Sequence, residues 1–261
     1  VNVTEKPTGM LTLGAGFSSA EKMTLMLGIQ QDNVLGTGQN LGIQINTSKY
    51  NKYYVISTTD PYYTENGVSR TFEFYHRDTR PYVAQLGYND NVYHLLTTGL
   101  GVRYGVPVSE YDKVFVGASF EQTELRQGNG VGLLNVHQQF CASSGCRATN
   151  IPVTIGWSRD DRDSFLNPNS GAYKRLNSEI GLIGDDRYIR NGAQYQQYVP
   201  LTKKYTFAFN AELGLAKGLQ GNELPFYKNY YSGGLGSVRG YQIGSLGPRD
   251  NPNNPNSAVI G

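Results

Sequence analysis

Phe207-Ala208-Phe209-Asn210-Ala211-Glu212-Leu213-Gly214-Leu215 alternates between apolar residues and polar or small ones. A period of two places successive side chains on opposite faces of an extended strand, so this stretch predicts a β-strand with one apolar face. The same alternation is clear at 23–30, 41–46, 100–106 and 151–158, and looser around 8–17, 53–60, 70–78, 114–125, 173–183 and 192–201. The pattern predicts about eleven strands, most of about ten residues, and no amphipathic helix.

The composition agrees with an all-β chain. Of 261 residues, 32 are Gly and 20 are Tyr. Gly is almost twice as frequent as the average of about 7%, and each interior Gly costs a helix about 1 kcal/mol relative to Ala. The net charge of +2 gives no electrostatic reason to expect nucleic acid or an acidic substrate. The mean hydropathy is −0.45, and no apolar run reaches the length of a membrane helix.

The links between the predicted strands point to an outer-membrane barrel. Short links at 32–38, 64–67, 109–113, 167–171 and 202–204 alternate with links of more variable length, of which 80–95, 127–147 and 219–256 are long. Short turns at one end and longer loops at the other are typical of outer-membrane barrels, whose apolar face meets lipid. A soluble barrel or sandwich would show the same alternation. The number of strands and the tyrosine pairs at 53–54, 62–63 and 230–231 favour a transmembrane antiparallel β-barrel.

The strand count predicts that the barrel is incomplete. Single-chain bacterial barrels contain an even number of strands, and an open edge in lipid leaves backbone groups unpaired. The residues from Ser257 to Gly261 resemble the start of another strand. We therefore expect further strands to follow in the full protein.

One motif lies in the longest predicted link. Val238-Arg239-Gly240-Tyr241 follows Gly233-Gly234 and precedes a Gly-Pro pair at 247–248. With the turn at 31–38, the strand end at 59–63 and the approach at 223–234, it resembles the barrel domain of the BamA family, which assembles outer-membrane proteins. The matches occur in the family's order along nearly the whole chain.

This resemblance implies a barrel of about sixteen strands. Residues 1–7 would be the linker from a periplasmic POTRA domain, and 8–261 an incomplete barrel with a lumen-inserted loop at about 219–256. The implied function is to fold and insert nascent outer-membrane β-barrel proteins, as central subunit of an assembly complex, without enzymatic activity or cofactor. Accessory lipoproteins and outer-membrane lipid are the other implied partners; nucleic acid is not one.

The resemblance also implies two sites. The first is a lateral gate on the first strand, comprising Gly9, Met10, Leu11, Thr12, Leu13, Gly14, Ala15, Gly16 and Phe17. An incoming strand could pair with its edge by β-augmentation. The second is a latch: Arg239 would bind carboxylates on the inner wall, mainly on later strands, Gly240 would allow close approach, and Tyr241 would pack beside it. Val238 completes the latch.

Several alternatives stay open at this point. A TamA-like assembly barrel or a two-partner secretion transport pore shares the general plan, and the number of upstream POTRA domains would separate them. Cys141 and Cys146 could form a disulfide, which we favour over a zinc site because two further ligands are missing. The run at 159–163 is interpreted as a strand end with its turn rather than a calcium site. No metal site is predicted.

Overall fold

The computed structural model describes residues 8–18, 22–49, 51–80, 93–127, 135–202, 204–234, 237–241, 244–249, 253 and 259. The predicted linker at 1–7 lies outside this part of the chain. The described residues form a single sheet of eleven antiparallel strands in chain order. The strands are β1 Gly9–Ser18, β2 Lys22–Gln31, β3 Asn40–Thr47, β4 Asn51–Asp60, β5 Ser69–Thr79, β6 Tyr93–Pro107, β7 Asp112–Gln127, β8 Arg147–Asp160, β9 Gly171–Gly184, β10 Tyr188–Pro200 and β11 Thr206–Gly218.

The register assigns each side chain to one of two faces. Directly opposed residues in an antiparallel pair share a face. Starting from Glu121, the register leads through Gly99, Tyr75 and Val55 to Gln44 on β3. We call this the inner face, because the loop after β11 lies against it. One register shift interrupts the pairing of β8 with β9, at Ile151 and Pro152.

The opposite face, here called the outer face, is apolar and exposed. Its side chains include Leu13 and Phe17 on β1, which are 74% and 79% exposed, and Leu213 on β11, which is 62% exposed. A sheet that exposes large apolar side chains on one face and holds polar ones on the other is arranged for contact with lipid. Because the alternation continues from β1 to β11, the apolar surface extends along all eleven described strands.

The strands differ in length along the wall. β1 to β5 contain 8 to 11 residues, whereas β6 to β11 contain 13 to 16. At a rise of about 3.3 Å per residue and a tilt of about 40°, ten residues span about 25 Å, the height of the apolar band of such barrels. The first strands therefore just cover that band, and the later strands extend beyond it.

One helix departs from the sequence-based expectation. The expectation of no amphipathic helix is wrong for Asn135–Ser144, here α1, which lies between β7 and β8. Its buried face is formed by His137 and Phe140, and Gly145, with φ of 64°, ends it. Short 3-10 turns occur at Val34–Gly36 and Phe226–Lys228. In the described part of the chain, no helix is long and apolar enough to cross a membrane.

Candidate functional site: a strand edge and an anchored loop

β1 forms one edge of the described sheet. It pairs with β2 over ten residues, from Gly9 opposite Gln31 to Ser18 opposite Lys22. In the sheet that the structure describes, no strand pairs with its other side. All residues from Gly9 to Phe17 are exposed. The predicted gate residues therefore lie together on one edge strand, with backbone groups directed away from the sheet.

The inner face of β1 provides few packing groups. Gly14 and Gly16 face inward opposite Met26 and Thr24. A cross-strand side-chain pair stabilises a sheet by about 0.2–1 kcal/mol, and a glycine forms no such pair. β1 is consequently attached to β2 mainly through backbone hydrogen bonds and through its outer apolar side chains.

The Val238–Tyr241 segment lies at the tip of an exposed turn. An isolated bridge between Ser232 and Leu246 closes the base of this turn, and Gly234 N–H donates to the Val238 carbonyl at 3.1 Å. Gly240 has a φ of 90°, which favours glycine. Arg239 is exposed and, within the described residues, has no ion-pair partner. The carboxylates predicted to bind Arg239 therefore stay a prediction.

The base of the same loop is held by Lys228. Its Nζ lies 3.1 Å from Glu121 Oε2 on β7 and 2.5 Å from Glu179 Oε1 on β9. All three side chains are mostly buried, at 13%, 17% and 19% exposed. One ammonium therefore joins a loop to two strands of the inner face, in a site where water screens charges weakly.

Neutral donors complete the surroundings of the two carboxylates. Tyr75 OH donates to Glu121 Oε1 at 2.5 Å, and Ser119 Oγ donates to the same oxygen at 3.3 Å. Tyr188 OH donates to Glu179 Oε1 at 2.5 Å. Each carboxylate thus accepts hydrogen bonds besides its contact with Lys228, as buried charges require.

The preceding residue, Tyr227, binds a second group of polar side chains. Its hydroxyl donates to Asp186, which follows β9, and accepts from Asn150 Nδ2 at 3.2 Å. Asn150 Nδ2 also donates to Asp186 at 2.8 Å. Burial and the adjacent Asp186 charge raise the pKa of Tyr227 far above its ordinary value, so the hydroxyl stays protonated and continues to donate.

The residue before that, Phe226, enters an aromatic cluster beneath α1. Its ring centroid lies 4.6 Å from His137 and 5.6 Å from Phe140, both on α1, and 6.1 Å from Tyr93 on β6. Leu125 and Ala148 complete the buried part of the cluster. Edge-to-face ring contacts at these separations add about 0.5–1.5 kcal/mol each to the burial of apolar surface.

A disulfide closes the turn that follows α1. Cys141, within α1, is bonded to Cys146, immediately before β8. Both residues pack against the aromatic cluster that contains Phe226. The bond fixes the end of α1 beside the loop.

Further along the loop, Tyr230 lies flat on the inner face. Its hydroxyl donates to the Asn191 carbonyl at 2.8 Å, and the Arg190 guanidinium lies 4.1 Å from its ring centroid. A Cβ on Gly214 would come within 2.8 Å of this ring. Tyr75 covers Gly99 and Tyr188 covers Gly181 in the same way. Three tyrosine rings thus rest on glycines of the wall.

The charged run at 159–163 lies at the end of β8 and in the turn that follows it. This is the opposite end of the sheet from the loop. β8 ends at Asp160, and Arg162 pairs with Asp160 at 2.7 Å. Arg159 contacts Asp112 at 3.1 Å, which ties this turn to the start of β7.

Sequence reasoning placed the latch at Arg239 and missed the anchor at 226–228. A signal was present: Lys228 is the single charge in Phe226-Tyr227-Lys228-Asn229-Tyr230-Tyr231. Its partners Glu121 and Glu179 are carboxylates at inward positions of β7 and β9. Only the register and the path of the loop bring the three together.

An antiparallel sheet with an apolar outer face, a polar inner face and a loop folded onto that inner face defines a transmembrane β-barrel of the outer-membrane class. A family model for the Omp85 superfamily domain matches residues 33–261. The chain belongs to the Omp85 superfamily, and it is a β-barrel protein of the bacterial outer membrane.

Individual relatives agree with this assignment. The outer membrane protein assembly factor BamA of Neisseria meningitidis serogroup B is 34% identical over 257 residues, covering 95% of this chain and 32% of that protein. The crystal structure of BamA from Haemophilus ducreyi lacking POTRA domains 1–3 matches with a TM-score of 0.84 at 25% identity, covering 98% of this chain and 51% of that one.

A more distant structure shares the fold alone. CdiB from Acinetobacter baumannii matches with a TM-score of 0.53 at 15% identity, covering 88% of this chain and 42% of that one. The chain spans about a third of the length of the assembly factors it matches.

Proposed function

We propose that this chain forms the seam-bearing part of an insertase, which folds β-barrel proteins into the outer membrane as the central subunit of an assembly complex. The observation that carries the proposal is strand β1, which pairs with β2 alone in the described sheet and has the glycines at 14 and 16 at its inward positions opposite Met26 and Thr24. An incoming strand would bind this edge by backbone hydrogen bonds, which do not depend on the side chains of the substrate.

The weakness of β1 supports this role. A seam has to open at a low energetic cost, and the inward glycines at 14 and 16 remove cross-strand contacts that would hold the strand in place. The neighbouring strands β2 to β5 are just long enough to span the apolar band of the membrane. Both features favour a local opening at β1 over one among the longer strands.

Arg239 is proposed as the latch of the long loop. Its guanidinium would bind carboxylates of the inner wall in paired hydrogen bonds. Replacing Arg239 with Ala is expected to weaken the closed barrel and reduce assembly. If both barrel stability and assembly were unchanged in that variant, the latch role would be wrong.

Depletion tests the insertase role. Loss of the protein should lower the amounts of many outer-membrane β-barrel proteins together. Loss of one secreted protein with the others unchanged would instead support a two-partner secretion pore. A TamA-like role would instead lower the amounts of only a few of these outer-membrane β-barrel proteins.

Cross-linking tests the site itself. A cysteine introduced at Leu11 or Leu13, on the proposed seam strand, should form disulfides with cysteines in a terminal strand of a stalled substrate. A cysteine at Phe209, on the outer face of β11, serves as the matched control. Equal cross-linking from β1 and β11 would exclude β1 as the preferred edge.

A further inference from the structure

We propose that Lys228 is the residue that positions the long loop, by binding Glu121 and Glu179 of the inner face at the same time. The inference concerns where the loop sits and does not depend on the insertase role. It also separates two parts of the loop: an anchored base at 226–228 and an exposed tip at 238–241.

The contacts of Lys228 and of its partners involve strands from β5 to β10. Glu121 belongs to β7 and Glu179 to β9, and the tyrosines that support these carboxylates come from β5 and β10. The Lys228 ammonium also lies 5.1 Å from the Tyr188 ring centroid. A single side chain therefore fixes the loop against strands that are far apart in the sequence.

The charges explain why this contact sets the position of the loop. Two carboxylates share one ammonium, so removing the ammonium leaves two mostly buried negative charges facing each other. Breaking a buried pair from one side is far more costly than never forming it. The carboxylates consequently favour loop positions that keep Lys228 between them.

The neighbouring anchors hold other parts of the loop. Phe226 is held by apolar burial, which tolerates small shifts, and Tyr227 is hydrogen-bonded to Asp186 and Asn150 at the end of the wall. Lys228 reaches further across the inner face and has to meet two fixed oxygens. The ion pair thus selects one position among those that the aromatic cluster would accept.

Thiol labelling of the protein in membranes can test this assignment. Ala216 faces inward on β11, beside the glycine that Tyr230 covers, so an Ala216→Cys reporter is shielded while the loop is seated. The native cysteines are bonded to each other and do not react. The maleimide labelling rate of Cys at 216 then reports the position of the loop.

We expect a large change in the labelling rate only when Lys228 is replaced. Lys228→Met should raise the labelling rate about ten-fold, since a buried ion pair is broken. Lys217→Met is the matched control, because Lys217 lies on the outer face near the same end of β11, and it should leave the rate unchanged. Arg239→Ala should also leave the rate nearly unchanged, because the base stays bound; this separates failure of the anchor from failure of the latch.

A charge exchange provides the decisive comparison. Lys228→Glu should increase labelling at least as much as Lys228→Met, and adding Glu121→Lys should restore part of the protection, because the carboxylate introduced on the loop then pairs with an ammonium on β7. If Lys228→Glu does not accumulate in membranes, recovery of the protein in the double variant is the same evidence for rescue. Unchanged labelling in Lys228→Met, or a double variant no better protected than Lys228→Glu alone, overturns the assignment.

Discussion

The inner face of β1–β4 and the inner face of β5–β11 are built differently. Apart from Lys22 at the end of the first hairpin, the first four strands present neutral inward side chains such as Thr12, Gln44 and Ser57. The later strands present charges, namely Glu73, Arg77, Arg103, Lys113, Glu121, Asp160, Arg175, Glu179, Arg190 and Glu212. The long loop of the chain lies on the charged part.

The two parts of the inner face therefore place different requirements on the groups that lie against them. Buried charges require a fixed partner, and the loop supplies one through Lys228. A neutral polar surface has no such requirement and can face many different sequences without strong repulsion. The wall beside β1 therefore suits changing neighbours, and the wall beneath the loop suits one permanent neighbour.

The sharpest way to break this comparison is to reverse a charge beneath the loop. Glu179→Lys places a second cation beside Lys228 and should destabilise the barrel by about 4 kcal/mol. The melting of the folded barrel, followed by its gel mobility after heating, measures this. Glu212→Lys is the control, because Glu212 is also inward but exposed and is bonded to Gln194 rather than to a cation. Similar losses in the two variants would contradict the comparison.

Removing the apolar anchor should have the next largest effect. Phe226 is 3% exposed, so Phe226→Ala leaves a cavity among the rings and should cost about 3 kcal/mol. Phe209→Ala on the outer face of β11 provides a matched aromatic truncation and should cost less than about 1 kcal/mol. Denaturant unfolding in detergent or lipid would measure both. A larger loss at Phe209 would mean that the loop cluster adds little stability.

Opening the disulfide should have a more local consequence. The ring closed by Cys141 and Cys146 is short, so its loss should destabilise α1 by about 2 kcal/mol. Hydrogen exchange in the Cys141→Ser, Cys146→Ser double variant should become faster in α1 and at 226–228, and stay unchanged in β1–β4. Faster exchange in β1–β4 would show that the two regions are coupled.

The smallest effects should come from adding charge to the inner face without removing a contact. Thr154→Glu lies directly opposite Glu179 and should cost up to about 1 kcal/mol by repulsion. Gln44→Glu lies on the neutral part, is exposed, and should change stability by less than about 0.5 kcal/mol. The two unfolding free energies can be compared under identical conditions. An equal cost at both positions would remove the distinction between the two parts of the wall.

Much of the fold was predictable because alternation is a local property. The pattern at 207–215 and its repeats correctly indicated the strand number and the apolar outer face. The lengths were underestimated for the later strands, because ends such as 93–99 of β6 show no clear alternation. Helix α1 was missed because its buried side is only a few residues wide and depends on Phe226, which is distant in sequence.

The anchor could not be predicted for a different reason. Lys228 is separated from Glu121 by 107 residues and from Glu179 by 49. Their meeting depends on the register of every intervening strand and on the path of the loop, and neither is encoded in a short window. The resemblance drew attention to Arg239, whose binding to carboxylates of the inner wall stays a prediction.

The glycines beneath the tyrosine rings have a practical meaning for reading natural variants. Gly99 leaves room for Tyr75, and Gly181 for Tyr188, which are the two hydroxyls bonded to the carboxylates of the Lys228 site. An alanine at either glycine favours a strand by propensity, yet its methyl group would occupy the volume of the ring. A change that a substitution table scores as mild would thus push the tyrosine ring away and displace the hydroxyl that holds the carboxylate. Whether a substitution is tolerated at Gly99 or Gly181 depends on the space that the facing tyrosine ring occupies.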